Sequence, residues 1–137
     1  QHVAQDALEE RGTQAKVQFE VGSALDMPYE DHSFDAVFTS FTLELFPAED
    51  IPRVLSQARR VLKPAGKVGI VAMASVREGE KDSVMDSVYK WSHHHFPHIL
   101  DCRPIDVEHF VTDAGWEMIH DARIEIWQMP VAIVVAT

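Results

Sequence analysis

Between Phe34 and Ala74 the sequence spells a strand, a helix and a second strand in immediate succession, and no other feature restricts the fold so strongly. Phe34 to Ser40 is a short apolar run with one charge, Asp35, near its entrance, a pattern that suits a strand buried on both faces. Ile51, Val54, Leu55, Ala58, Val61 and Leu62 then recur at helical spacing. Glu49 and Asp50 stand at the start of this helix and Arg59, Arg60 and Lys63 near its end, where each sign complements the helix dipole. Pro64 and Gly66 stop the helix, and Val68 to Ala74 reads as the next buried strand. Two strands joined through a helix pair in parallel, so this is an α/β chain.

The flanks extend the pattern. Residues 2–11 read as a helix with a thin apolar stripe, closed by Gly12, and Lys16 to Val21 alternates as a strand does. A loop from Gly22 to Ser33 carries Pro28. Downstream, residues 82–92 read as a helix with Val84, Met85, Val88 and Trp91 on one side. Asp106 is placed to cap another helix, with Ile105 and Phe110 as a hydrophobic staple and Gly115 as its end. Ala122, Ile124 and Ile126 alternate with polar neighbours, and Val131 to Ala136 is wholly apolar. The link around Gln128 to Pro130 is too short for a parallel crossover, so these last two strands form an antiparallel hairpin. The expectation is one domain over residues 1–137, its parallel strands ending in a C-terminal antiparallel hairpin.

Charge narrows the partners. A net charge of −10 opposes a general role on nucleic acid, which requires a basic surface, and opposes attraction to anionic lipid. A small-molecule or protein partner fits better. No apolar run reaches the length of a membrane span, and nothing at the start reads as a signal peptide. The single Cys102 forms no internal disulfide, which points to a reducing compartment, most simply the cytoplasm.

Three segments carry a resemblance: Val17-Gln-Phe-Glu-Val-Gly-Ser-Ala-Leu-Asp-Met-Pro28 followed by Asp31-His-Ser-Phe-Asp-Ala-Val37; Arg60-Val-Leu-Lys-Pro-Ala-Gly66; and Phe96-Pro-His-Ile-Leu-Asp-Cys-Arg-Pro-Ile105. In this order and spacing the chain resembles the ubiquinone and menaquinone biosynthesis methyltransferases and their class I S-adenosylmethionine-dependent relatives. The resemblance implies a Rossmann-like sheet and a cofactor, S-adenosylmethionine, whose adenine lies along Ser23, Ala24, Leu25 and Met27. The family usually has Asp where this chain has Ser23, which keeps an acceptor oxygen but not the charge. Thr39, Ser40 and Phe41, at the end of the next strand, would flank the methionine end and the transferred methyl group, in keeping with ligand binding beyond the carboxyl ends of parallel strands. On composition alone, Phe38 and Phe41 read as core and the loop as a solvated turn.

The family's first strand, its glycine-rich loop and the acidic residue ending the second strand have no counterpart here. The six glycines form no Gly-x-Gly pair. Those glycines normally allow the backbone to approach the cofactor. In this fold the missing strands lie at the sheet centre, between the strands near Val17 and Phe34, and unpartnered edges recruit other chains. The expectation is therefore a homodimer through that edge, a partner chain supplying the missing half, or a longer parent protein. Function divides in the same way. One reading is methyl transfer to a small, partly apolar acceptor such as a quinol precursor; the other is a non-catalytic remnant of the fold that self-associates.

Further candidates are few. Glu44 follows the strand that would face the methyl group and is a candidate general base, although its plain reading is a loop carboxylate. By resemblance His95, His98 and Arg103 line the substrate pocket, Arg103 holding an oxygen-rich group or pairing with a nearby acid. No metal site is expected from His93-His94-His95, because adjacent helical side chains diverge. Cys102 has no evident activating partner, and Trp91, Trp116 and Trp127 read as core or interface aromatics.

Overall fold

The computed structural model describes residues 16–75, 104–127 and 129–137. The expected helices over 2–11 and 82–92 lie outside these residues, as do Trp91, His93 to His95, His98, Cys102 and Arg103. Strand β1 (Phe34–Ser40) leads through a 3-10 turn (Leu43–Leu45) to helix α1 (Ile51–Val61) and strand β2 (Leu62–Met73). Helix α2 (Val107–Asp113) precedes β3 (Met118–Ile126) and β4 (Met129–Ala136). The sheet order is β1-β2-β4-β3, with β1 and β2 parallel and both β4 pairings antiparallel.

Helix α1 forms because its apolar positions meet the sheet. Ile51, Val54, Leu55, Ala58 and Val61 are buried, and the first four share one core with Val68, Ile70 and Ala72 of β2. Each large aliphatic side chain buried there contributes about 1.5–3 kcal/mol. That outweighs the few tenths of a kcal/mol that a β-branched residue costs a helix. The helix ends at Val61, and Leu62 is already extended (φ −76, ψ 140), so the next strand starts six residues before Val68. The cause is local: Pro64 steers the residue before it to extended backbone. Gly66 is then required by close approach, since a Cβ there would sit 2.9 Å from both Leu62 Cδ2 and the Lys63 carbonyl oxygen.

Helix α2 is capped as its sequence implies. The Asp106 carboxylate accepts a hydrogen bond from the His109 amide at 3.0 Å, and Gly115 follows the helix at φ +77. Val107 and Val111 join the same core, and Trp116 completes it. Arg123 of β3 donates to both Glu108 oxygens and, at 2.9 Å, to the Ser75 carbonyl, tying the hairpin to α2 and to the end of β2. The hairpin pairs Ile126 with Met129, and Trp127 turns the corner at φ +50, exposed, so that of its two readings, core or interface, it is not core.

Two strand expectations fail for one reason. No ladder includes residues 16–22, and Val21 is 89% exposed, so the alternation at Val17, Phe19 and Val21 does not produce a strand here. β1 does form but is an edge rather than a doubly buried strand: Phe38 is 70% exposed and Phe41 44%, against their reading as core. A strand is made by its neighbours, and among the described residues β1 has a neighbour on one side only.

Candidate cofactor-loop pocket and strand-end carboxylate

The loop of residues 22–33 lies against α1. Inside it, the Asp26 amide donates to the Ser23 carbonyl at 3.3 Å, and the Leu25 amide to Ser23 Oγ at 3.2 Å. Farther along, the His32 and Ser33 amides donate to the Arg60 and Val61 carbonyls at 3.0 and 2.8 Å. These bonds satisfy the last carbonyls of α1, which have no partner inside the helix. Between the loop, β1 and α1 is a pocket of about 270 Å³. Ala24, Met27, Thr39 and Ser40 all line it, together with Thr42 and aliphatic side chains of β1 and α1. Four of the seven residues assigned to the cofactor by resemblance thus meet at one place.

The other three do not line it. Ser23 uses its hydroxyl within the loop, and Leu25 packs on the core. Phe41 adopts φ +49 and donates its amide to the Val71 carbonyl at 2.7 Å, which ends the β1 ladder. The pocket walls are apolar apart from the hydroxyl-bearing Thr39, Ser40 and Thr42, and Thr42 Oγ1 is committed to the Ser40 carbonyl at 2.9 Å. Such walls suit a flat, weakly polar ring rather than a charged group. His95, His98 and Arg103 lie outside the described residues.

Glu44 is buried, at 1% exposure, which a loop carboxylate would not be. Its Oε1 accepts the Met73 amide at 3.1 Å, while Oε2 is buried without a partner. The neighbouring bonds explain the position. The edge of β2 that faces β1 gives Val71 O to Phe41, Met73 N–H to Glu44, and then Met73 O and Ser75 N–H to Ile105 at 3.0 and 3.1 Å. Glu44 fills the gap in the ladder between the end of β1 and Ile105. Alternation and spacing carry no signal for this, because the partner is 29 residues away. Gln57 and Arg60, which bond the loop, were equally hidden; Arg60 reads in sequence as a cation at a helix end and as the start of a shared motif, with no sign of its partner. Among the described residues no group of three or more His, Cys, Asp or Glu side chains is placed to hold a metal ion, and no helix is long and apolar enough to cross a membrane.

Comparison with known proteins is consistent with this geometry. The model of the methyltransferase domain family matches residues 1–70. The ubiquinone/menaquinone biosynthesis C-methyltransferase UbiE of Brucella anthropi is 35% identical over 97 residues, covering 71% of this chain and 35% of that protein. The chain therefore spans about a third of the length of this relative. Among solved structures, the cyclase SpnF superposes with a TM-score of 0.73 at 19% identity, over 98% of this chain and 60% of that one. A methyltransferase-like protein from Bacillus halodurans gives 0.72 at 16% identity, over 98% of this chain and 77% of that one. These structural likenesses establish the Rossmann-like fold, and SpnF is named for a cyclisation, so the fold alone does not fix the chemistry. With the family model matched over 70 of 137 residues, and with its similarity to UbiE and its Rossmann-like fold, the chain belongs to the methyltransferase domain family.

Proposed function

We propose that this chain contributes to methyl transfer from S-adenosylmethionine to a small, partly apolar acceptor of the quinol-precursor kind. The observation that carries the reading is the meeting of Ala24, Met27, Thr39 and Ser40 in one pocket beside the carboxyl end of β1. The names of relatives such as the Brucella enzyme support the acceptor class. In this reading Ala24 and Met27 form the wall against the adenine, with Ser23 and Leu25 holding the loop in shape behind them, and Thr39, Ser40 and Phe41 border the methyl end. The cofactor supplies an activated methyl group on a sulfonium. The chain's own residues position the acceptor and exclude water, which is where most of the rate gain in such a transfer arises. Glu44, through the unpartnered Oε2, is the candidate to take the proton an acceptor loses, and His95, His98 and Arg103 are candidates for the acceptor pocket.

A second reading has its own support. No Gly-x-Gly pair exists in the sequence, and among the described residues β1 is an edge strand with Phe34 and Phe38 exposed. On this reading residues 1–137 are one partial domain that pairs through the edge with a second copy or with a chain bearing the missing half, and binds no cofactor alone. Calorimetric titration with S-adenosylmethionine and S-adenosylhomocysteine, alongside sedimentation to give the oligomeric state, separates the two. Micromolar binding supports the first; a folded protein with no binding refutes it for this chain.

A further inference from the structure

We infer that Gln57 and Arg60, neighbours on one face of α1, are positioning residues that hold Met27, and with it the loop wall of the pocket, in place for a ligand. The inference rests on the cofactor reading proposed above. Met27 is gripped by both of its backbone polar groups. Its amide donates to Gln57 Oε1 at 3.1 Å, and its carbonyl accepts from Arg60 Nη2 at 2.7 Å. Arg60 Nη2 also donates to Gln57 Oε1 at 3.0 Å, which fixes the direction of the glutamine oxygen. The other terminal nitrogen, Nη1, donates to the Tyr29 carbonyl at 2.7 Å and to Asp31 Oδ1 at 2.8 Å. These four bonds match the four hydrogens on the two Nη atoms of a guanidinium, a planar fork that lysine cannot reproduce.

The position of the clamp along the loop gives it a role beyond stability. After Met27 the chain has other anchors on α1, at His32 and Ser33, while residues 16–22 belong to no ladder. Among the described residues, Met27 is thus the first point at which bonds from α1 side chains to the chain's own backbone tie the loop down. Ala24 and Met27 are also the loop residues that line the pocket. A loop freed at Met27 has to be ordered by the ligand itself, which raises the entropic cost of binding. Arg60 is about a third exposed, so the energetic worth of its ion pair with Asp31 is small and the fold should survive its loss.

The test combines amide hydrogen exchange with binding of S-adenosylhomocysteine, in the unaltered protein and in Q57L, R60K and Q57E. Glutamate preserves an acceptor for both the Met27 amide and Arg60, so Q57E is the rescue. The expected result is faster exchange at Met27 in Q57L and in R60K, unchanged exchange over Val54–Val61, and affinity lowered about tenfold or more in both. Q57E should stay near the unaltered protein in both measurements. If the unaltered protein binds and Q57L and R60K bind equally well, the positioning role is overturned while the cofactor reading stands. If the unaltered protein binds nothing, the cofactor reading fails and this role fails with it. Slow, unchanged Met27 exchange in both variants would show that there is no clamp.

Discussion

Consider Glu44→Gln and Glu44→Ala together, since they separate the two oxygens of one buried side chain. Oε1 takes the Met73 amide at the point where β1 has ended and Ile105 has not yet begun to pair. Glutamine keeps a carbonyl oxygen for that amide and places an NH2 group where Oε2 had no partner, so stability should stay within about 1 kcal/mol of the parent. Alanine removes the acceptor. The Met73 amide then loses its only side-chain partner in the ladder gap, at about 1–3 kcal/mol, with the lower half apt because the bond is part-buried. The emptied volume adds a cavity cost of roughly 1–2 kcal/mol, below the large aliphatic deletions because half of the atoms removed are polar. The sum is about 3 kcal/mol, which for a chain of this length is a fall of roughly 10 °C in Tm. Thermal and urea unfolding followed by circular dichroism measure it. An alanine variant within 1 kcal/mol of the parent, or a glutamine variant as unstable as the alanine one, would sink the ladder argument. The same glutamine variant also tests proton transfer: it should lose about 100-fold or more in methyl transfer, at unchanged stability, if Oε2 is the proton acceptor.

Two further predictions follow from contacts elsewhere. Gly66→Ala puts a Cβ 2.9 Å from the Lys63 carbonyl and 3.2 Å from that of Asp35, both backbone atoms that cannot swing away, so a loss of about 1–3 kcal/mol is expected in urea unfolding; a neutral result would mean that the close approach is relieved at no cost. Tyr29 donates its hydroxyl to Glu20 Oε2 at 2.8 Å, and chiefly this bond, followed by a minor burial effect and the charge of Glu20, raises its pKa above the usual 10.0. The fold favours the neutral phenol, so the contribution is fully present below pH 10 and is lost as pH rises through the raised value. In an ultraviolet titration, Tyr29→Phe should remove a phenol that ionises above pH 10, and removal of one that ionises at or below pH 10 would contradict the bond.

Sequence alone determined those parts of the protein whose cause is local. The strand–helix–strand unit follows from an apolar run, a helical stripe and a proline placed close together. The Asp106 cap and Gly115 follow from what a helix end requires of its neighbours, and the hairpin from a link too short to cross the sheet. The shared motifs led to a pocket in which Ala24, Met27, Thr39 and Ser40 meet, although Ser23, Leu25 and Phe41, which belong to the same motifs, do not line it. Tertiary structure decided the rest. The alternation at Val17 to Val21 is the pattern of a strand, but a strand also needs a partner's hydrogen bonds, and no ladder includes it. Phe38 is apolar and still exposed, because burial depends on which side of the sheet has a neighbour. Glu44 reaches Met73 across 29 residues, and Arg60 reaches Met27 across 33. Such contacts leave no periodicity in the chain, since they are set by where folded elements end and not by the residues on either side.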